Sequence, residues 1–417
     1  MSIFTIKRIP LYFKRLSVAI NLQMSTVIPL FMIFCFVTNT FVSLVVLEKQ
    51  TISYMVLAGV IASFIFMLAL MLRSREMTRF GFLHFLFFVT LICLSLVNSV
   101  DVMNAVYLAM SIWLYLLLLR YYRERMPVIM MLFAATCSFW VYMNFVHMLA
   151  NPAMWLIEDQ KEISGYMLGG NYNQMGCRML LTLVINALCV RYSKVWLVNF
   201  VLLSIVIIAS LSMVGSMTSL SMILVFLLFC VLPSAKFRKI MVASLFAVFV
   251  LFEVFVVFNG RGLENNQLAV YIIEDLLHKD ITFTYRTYMW YSALKVIMKS
   301  PLWGWGFVDL DWYVSNMSSF AKGPHNFVLS VFINGGLILF SLYVVICIYA
   351  YNGIKHYFSE RRAQILLMGI VTLYFMSLME MYPYPFMMLP LAFAYYYKYM
   401  CDGQNNNKLE TINNIKV

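Results

Sequence analysis

One feature constrains this chain more than any other: runs of ~20 apolar residues recur from end to end, each long enough to cross a hydrocarbon core of ~30 Å. In lipid, backbone N–H and C=O groups must be paired within the protein, which leaves only helices and closed barrels. These runs are continuous rather than alternating, so barrel strands with polar inward faces are excluded. Only 12% of the 417 residues are charged and 63% are hydrophobic, with mean hydropathy +0.85. A soluble domain carries about 25% charged residues. The expected fold is all-α and polytopic, a single membrane domain over 1–417.

The net charge is +12, which alone would admit a nucleic-acid partner. Its distribution excludes one. The basic residues cluster between apolar runs, at Lys7–Arg15, Arg73–Arg79, Arg120–Arg125, Arg191–Lys194, Lys236–Lys239, Lys355–Arg362 and Lys398–Lys416. Such clusters orient membrane helices with their basic ends in the cytoplasm. Pairing the runs between them as hairpins predicts about twelve spans. These are 24–47, 52–72, 80–98, 102–119, 127–149, 172–190, 195–213, 217–233, 240–258, 326–350, 363–381 and 386–400. Both termini then lie inside, with 21 of the 30 Lys and Arg on the cytoplasmic side. The N-terminal "MSIFTIKRIPLYFKR" lacks the apolar core and cleavage site of a signal peptide and reads as a retained cytoplasmic segment. The polar tail 402–417 is expected to be disordered. The eight cysteines are scattered, mostly within apolar runs, and indicate neither a metal site nor a disulfide framework.

Two extracytoplasmic segments stand out, 150–171 and the much longer 259–325. A loop of that length is usually functional or carries helices of its own. Here 264–278 reads as an amphipathic helix. A second is expected over 286–300, with Thr284 as a candidate N-cap and Pro301 as its stop. "WGWGF" (303–307) follows as a tight turn.

Chemistry-bearing residues gather at this side. Arg286 opens the second loop helix, where free N–H groups attract anions and a guanidinium fork suits phosphate. A snorkelling arginine at the membrane surface reads equally well. In "GPHNF", Pro324 and Asn326 make a well-formed helix start with Asn326 as N-cap. His325 between them is either an interface residue or a proton-handling group. "LGGNYNQMG" (168–176) opens an earlier helix with Asn173 and Gln174, as a polar cap or a sugar-binding rim. Arg178 lies one turn further in, where an ionisable residue is a functional candidate, with Glu253 and Glu380 as candidate partners.

The run "YRTYMWYSALKVIMKSPLWGWGF", followed after a short gap by "PHNFVLSVFINGGLILF", resembles the bacterial O-antigen ligase and polymerase family. "GGNYNQMG" is similar to that family's glycine- and asparagine-rich start of an earlier helix. The resemblance implies a GT-C-like membrane glycosyltransferase of the plasma membrane, using no cofactor or metal, with its active site on the outer face. The donor it implies is an undecaprenyl-diphosphate-linked glycan. The acceptor is a lipid-linked repeat unit for a polymerase, or lipid A-core for a ligase. Membrane lipid and a chain-length regulator are further implied partners. By position, His325 matches the family's base or acceptor-orienting histidine, and Arg286 a loop arginine assigned to diphosphate. Met217, in "VGSMTSL", stands where the family commonly carries an arginine, leaving Arg178 or Arg261 as the replacement cation. Asn173 and Asn326 join these as candidate substrate-binding residues. The expected reaction is polymerisation of lipid-linked repeat units by inverting glycosyl transfer, with ligation as the alternative. A lipid-linked glycan flippase or transporter is a more distant reading, because such proteins usually show related halves and several charges inside the bundle. A non-catalytic assembly subunit would have no reason to place His325 and Arg286 together.

Overall fold

The computed structural model describes residues 24–43, 50–74, 77–157, 165–169, 172–260, 262, 267, 271, 285–318 and 322–402. All described secondary structure is helical apart from turns and isolated bridge residues, among them the pair Val42 and Leu168. The helices are α1 Met24–Phe41, α2 Gln50–Ser74, α3 Arg79–Val97, α4 Val102–Tyr121, α5 Met126–Ala150, α6 Tyr172–Cys189 and α7 Lys194–Val214. They continue as α8 Met217–Val231, α9 Ala235–Phe252, α10 Arg286–Lys299, α11 Leu310–Asn316, α12 Phe327–Ile354, α13 Arg361–Met376 and α14 Tyr384–Tyr395. Each apolar run read from the sequence overlaps one of these helices, and α10 and α11 lie between the runs. Apart from Gln267 and Tyr271, the expected helix over 264–278 lies outside the described residues, as do the N-terminal segment, the tail beyond 402 and Arg261.

Among the described residues, seven helices are long and apolar enough to cross a membrane. Burial explains why others fall short. Helix α6 is buried without interruption from Met175 to Cys189, and α14 from Tyr384 to Ala394. Protein rather than lipid surrounds them, so they tolerate polar residues and short lengths. Buried amides join α5, α6 and α7: Asn186 Nδ2 donates to Ser138 Oγ at 3.0 Å, and Asn199 Nδ2 to Asn186 Oδ1 at 2.7 Å. Within a bundle such bonds contribute about 0.6–2 kcal/mol each. Small residues allow close approach as well. A side chain at Gly176 of α6 would overlap Ser219 of α8.

Helix α12 is broken where the sequence has its glycine pair. Gly336 adopts φ 57°, ψ −155°, a region that only glycine occupies readily. The break frees backbone groups, and the turn after α10 satisfies them. Trp305 N donates to Ile333 O (2.8 Å) and Gly306 N to Asn334 O (2.8 Å). In return, Leu337 N donates to Pro301 O (2.9 Å) and Ile338 N to Leu302 O (3.2 Å). A Cβ at Gly336 would overlap the Leu302 carbonyl. The glycine pair thus admits the 301–306 turn into the helix.

The basic residues Arg238, Arg361 and Arg362 converge at one end of the bundle. There Arg238 Nε donates to Gln364 Oε1 (2.6 Å) and Arg362 Nη2 to the Tyr192 hydroxyl (2.6 Å). Helix α13 starts at this end. It stops at Met376, short of the expected 381, and Ser377–Pro383 leads on to α14.

Candidate active site

The segment 377–383, "SLMEMYP", is the strap on which the candidate residues meet. A helix C-terminus leaves carbonyls without intrahelical partners. Here four donors from three neighbouring helices satisfy carbonyls at the end of α13 and along the strap. Phe327 N, the first amide of α12, donates to Ser377 O (3.2 Å). Asn326 Nδ2 reaches Leu378 O (3.4 Å), Arg286 Nε reaches Met379 O (2.8 Å) and Gln174 Nε2 reaches Met381 O (2.9 Å).

Between those carbonyls sits Glu380. Its Oε1 accepts from the Met381 amide at 3.1 Å and lies 3.5 Å from Nδ1 of His325. The two side chains are 28% (His325) and 13% (Glu380) exposed, so the pair is shielded while the imidazole keeps access. The contact is charge-compatible but not aligned as a hydrogen bond, and Nδ1 has no other hydrogen-bond partner. His325 has φ 47°, in the left-handed region, which costs a non-glycine residue roughly 1–2 kcal/mol. The next residue fixes it. Asn326 caps α12 by accepting from Leu329 N at 2.9 Å and is fully buried.

The two cations approach the strap from different helices. Arg286 is the first residue of α10, half-buried, with its Nε donating to Met379 O. The position before it is Tyr285, at φ 66° and without a side-chain cap, so the N-cap expected at Thr284, outside the described residues, is not where the helix begins. Arg178 is buried, 6% exposed, in the second turn of α6. Its Nη1 donates to Gln174 O (2.7 Å) and Gln174 Oε1 (3.2 Å), and its guanidinium carbon lies 4.5 Å from the Phe386 ring centre. Its Nε has no partner. The carboxylates expected beside Arg178 are engaged elsewhere: Glu253 with Asn326, at 2.9 Å, and Glu380 with His325.

His325, Asn326, Arg286 and, through Gln174, Arg178 therefore share one strap. Asn173 is half-buried on the first turn of α6, but among the described residues its neighbour Gln174 makes the strap contact. Met217 is 69% exposed at the start of α8, whereas Ser219, on the opposite side of that turn, packs at Gly176. The position where the family resemblance places an arginine thus faces away from this packing. Glu380 is the residue whose role the sequence reading missed. Its signal was an acid beside the proline-rich "MYPYP" at the end of an apolar run.

The arrangement can take a proton at His325, stabilise the resulting cation with Glu380, and present guanidinium groups to an anion. Fold and site together define a polytopic helical membrane protein with a histidine–carboxylate pair and two arginines gathered on an interhelical strap. Residues 198–344 match the family model described as O-antigen ligase, and this stretch supports the O-antigen ligase and polymerase family that the motifs resemble. The match takes in Glu253, Arg286, His325 and Asn326, while Arg178 and Glu380 lie outside it. No match is found among curated proteins or among solved structures.

Proposed function

We propose that the chain is a glycosyltransferase of the outer face of the bacterial plasma membrane, polymerising repeat units carried on undecaprenyl diphosphate. The observation that carries this reading is the His325–Glu380 pair set among Arg286, Arg178 and Asn326 on one strap. An acceptor hydroxyl is a weak nucleophile until its proton is removed, and a histidine near neutral pH is suited to remove it. In this mechanism Nδ1 keeps its proton toward Glu380, Nε2 takes the acceptor proton, and the carboxylate 3.5 Å from Nδ1 stabilises the imidazolium that forms. The acceptor oxygen attacks the anomeric carbon from the face opposite the diphosphate, so configuration inverts. The C–O bond to diphosphate breaks, and its electron pair leaves with the phosphate. Charge grows on that leaving group in the transition state, where preorganised cations contribute most. Arg286 and Arg178 are the cations assigned to it. The basic end with Arg238, Arg361 and Arg362 sets the orientation, since positive ends stay in the cytoplasm. On this reading the strap lies outside.

A second reading, favoured by the description of the matching family, is ligation of a finished lipid-linked glycan to lipid A-core. Glycan length in a deletion strain separates the two. Loss of the ladder with single repeats retained identifies a polymerase. Polymer that remains lipid-linked and fails to reach lipid A-core identifies a ligase. Repeat units trapped on the inner leaflet would overturn both in favour of a flippase.

A further inference from the structure

Glu253 is the only charged residue in "ASLFAVFVLFEVFVVF" (243–258), and such a residue in an apolar helix is costly unless it has work to do. The helix changes form to place it. After Phe252, α9 passes into a π-turn over Glu253–Val257, a local widening common at functional sites. Val254 and Phe255 are 54% and 64% exposed, while Glu253 is 5% exposed and turned inward. Its Oε1 accepts from Asn326 Nδ2 at 2.9 Å, and its Oε2 has no partner.

That bond completes the set of bonds on the Asn326 side chain. The amide oxygen caps α12 through Leu329 N, and the amide nitrogen donates both to Glu253 and to Leu378 O. An asparagine held on both amide atoms cannot rotate, and the residue before it is His325 at φ 47°. Capping alone would be satisfied by serine or aspartate and would leave the preceding turn less constrained. We infer that Glu253 is a positioning residue: through Asn326 it locks the left-handed turn that aims the His325 imidazole at Glu380. The inference rests on the transferase reading above and adds a residue to it that touches no substrate.

The test uses the purified full chain in lipid nanodiscs, with a lipid-linked glycan as donor and acceptor, and separates kcat from KM. Glu253→Leu removes the acceptor, and kcat should fall ~10–100-fold with KM unchanged within ~2-fold, as for loss of a group that orients a catalytic histidine. Glu253→Gln keeps an oxygen at Oε1 and should hold kcat within ~3-fold. Asn326→Ser still caps α12 but is too short to reach Glu253, so it should reproduce the kcat loss even where Glu253→Leu folds poorly. Combining Glu253→Leu with Asn326→Ser should cost no more than Asn326→Ser alone, because that variant has already cut the link to Glu253 along with the bond to Leu378 O. Wild-type kcat in Asn326→Ser, or additive losses in the double variant, overturns the inference. His325→Ala in the same assay keeps the two levels apart. If it is inactive while Asn326→Ser is normal, only the Glu253 role fails; if it is fully active, the transferase base itself fails.

Discussion

Nδ1 of His325 lies 3.5 Å from Oε1 of Glu380, although one residue precedes α12 and the other follows α13. The relationship exists because the strap anchors both. Phe327 N is bonded to Ser377 O, so the start of α12 and the end of α13 are held together. The Met381 amide then fixes the Glu380 carboxylate.

Replacing Glu380 by glutamine keeps the shape and removes the charge that stabilises an imidazolium. The expected result is a fall in kcat of about 10–100-fold with unchanged melting temperature. A steady-state transfer assay on purified protein measures it, and an unaltered kcat would assign the pair a packing role only.

Arg286→Lys tests the fork. The Nε that bonds Met379 O is absent in lysine, whose single ammonium cannot both hold the strap and face a diphosphate in the same geometry. Donor turnover is expected to drop at least ~10-fold. Full turnover would make Arg286 a surface arginine.

Arg178→Met separates function from stability. Methionine removes a buried charge whose expected carboxylate partners are engaged elsewhere, at the loss of its bonds to Gln174. The melting temperature should therefore hold or rise while transfer is lost. Unfolding of this variant would mark Arg178 as structural.

Gly336→Ala introduces a Cβ where φ is 57° and where the Leu302 carbonyl already sits. The strain and overlap should destabilise the protein by about 2–5 kcal/mol. Thermal unfolding followed by size-exclusion fluorescence would register this as a lowered melting temperature; wild-type stability would contradict the tight 301–306 clasp.

The helices were legible because length and apolarity alone announce them. The Asn326 cap was legible because capping is local, joining residues within one turn. The strap was not. Its bonds run to backbone carbonyls, which every residue carries, so no side-chain pattern marks Ser377, Leu378, Met379 or Met381 as acceptors. Glu253 and Glu380 were visible as acids near helix ends, and Arg178 as the obvious charge to pair with them. The structure gives those acids to Asn326 and His325, because the start of α12 comes between the end of α9 and the strap. Nothing in the sequence names the partner of the glycine pair in α12, since a backbone-to-backbone clasp has no sequence signature on the 301–306 side beyond its own glycines.

The central claim is that His325 takes the acceptor proton. The most direct measurement is glycan transfer by purified His325→Ala, beside wild type, from a lipid-linked donor under saturating acceptor. The account predicts a loss of ~10²–10⁴-fold in rate with normal membrane insertion and melting temperature. Wild-type amounts of glycan product from that variant would contradict it.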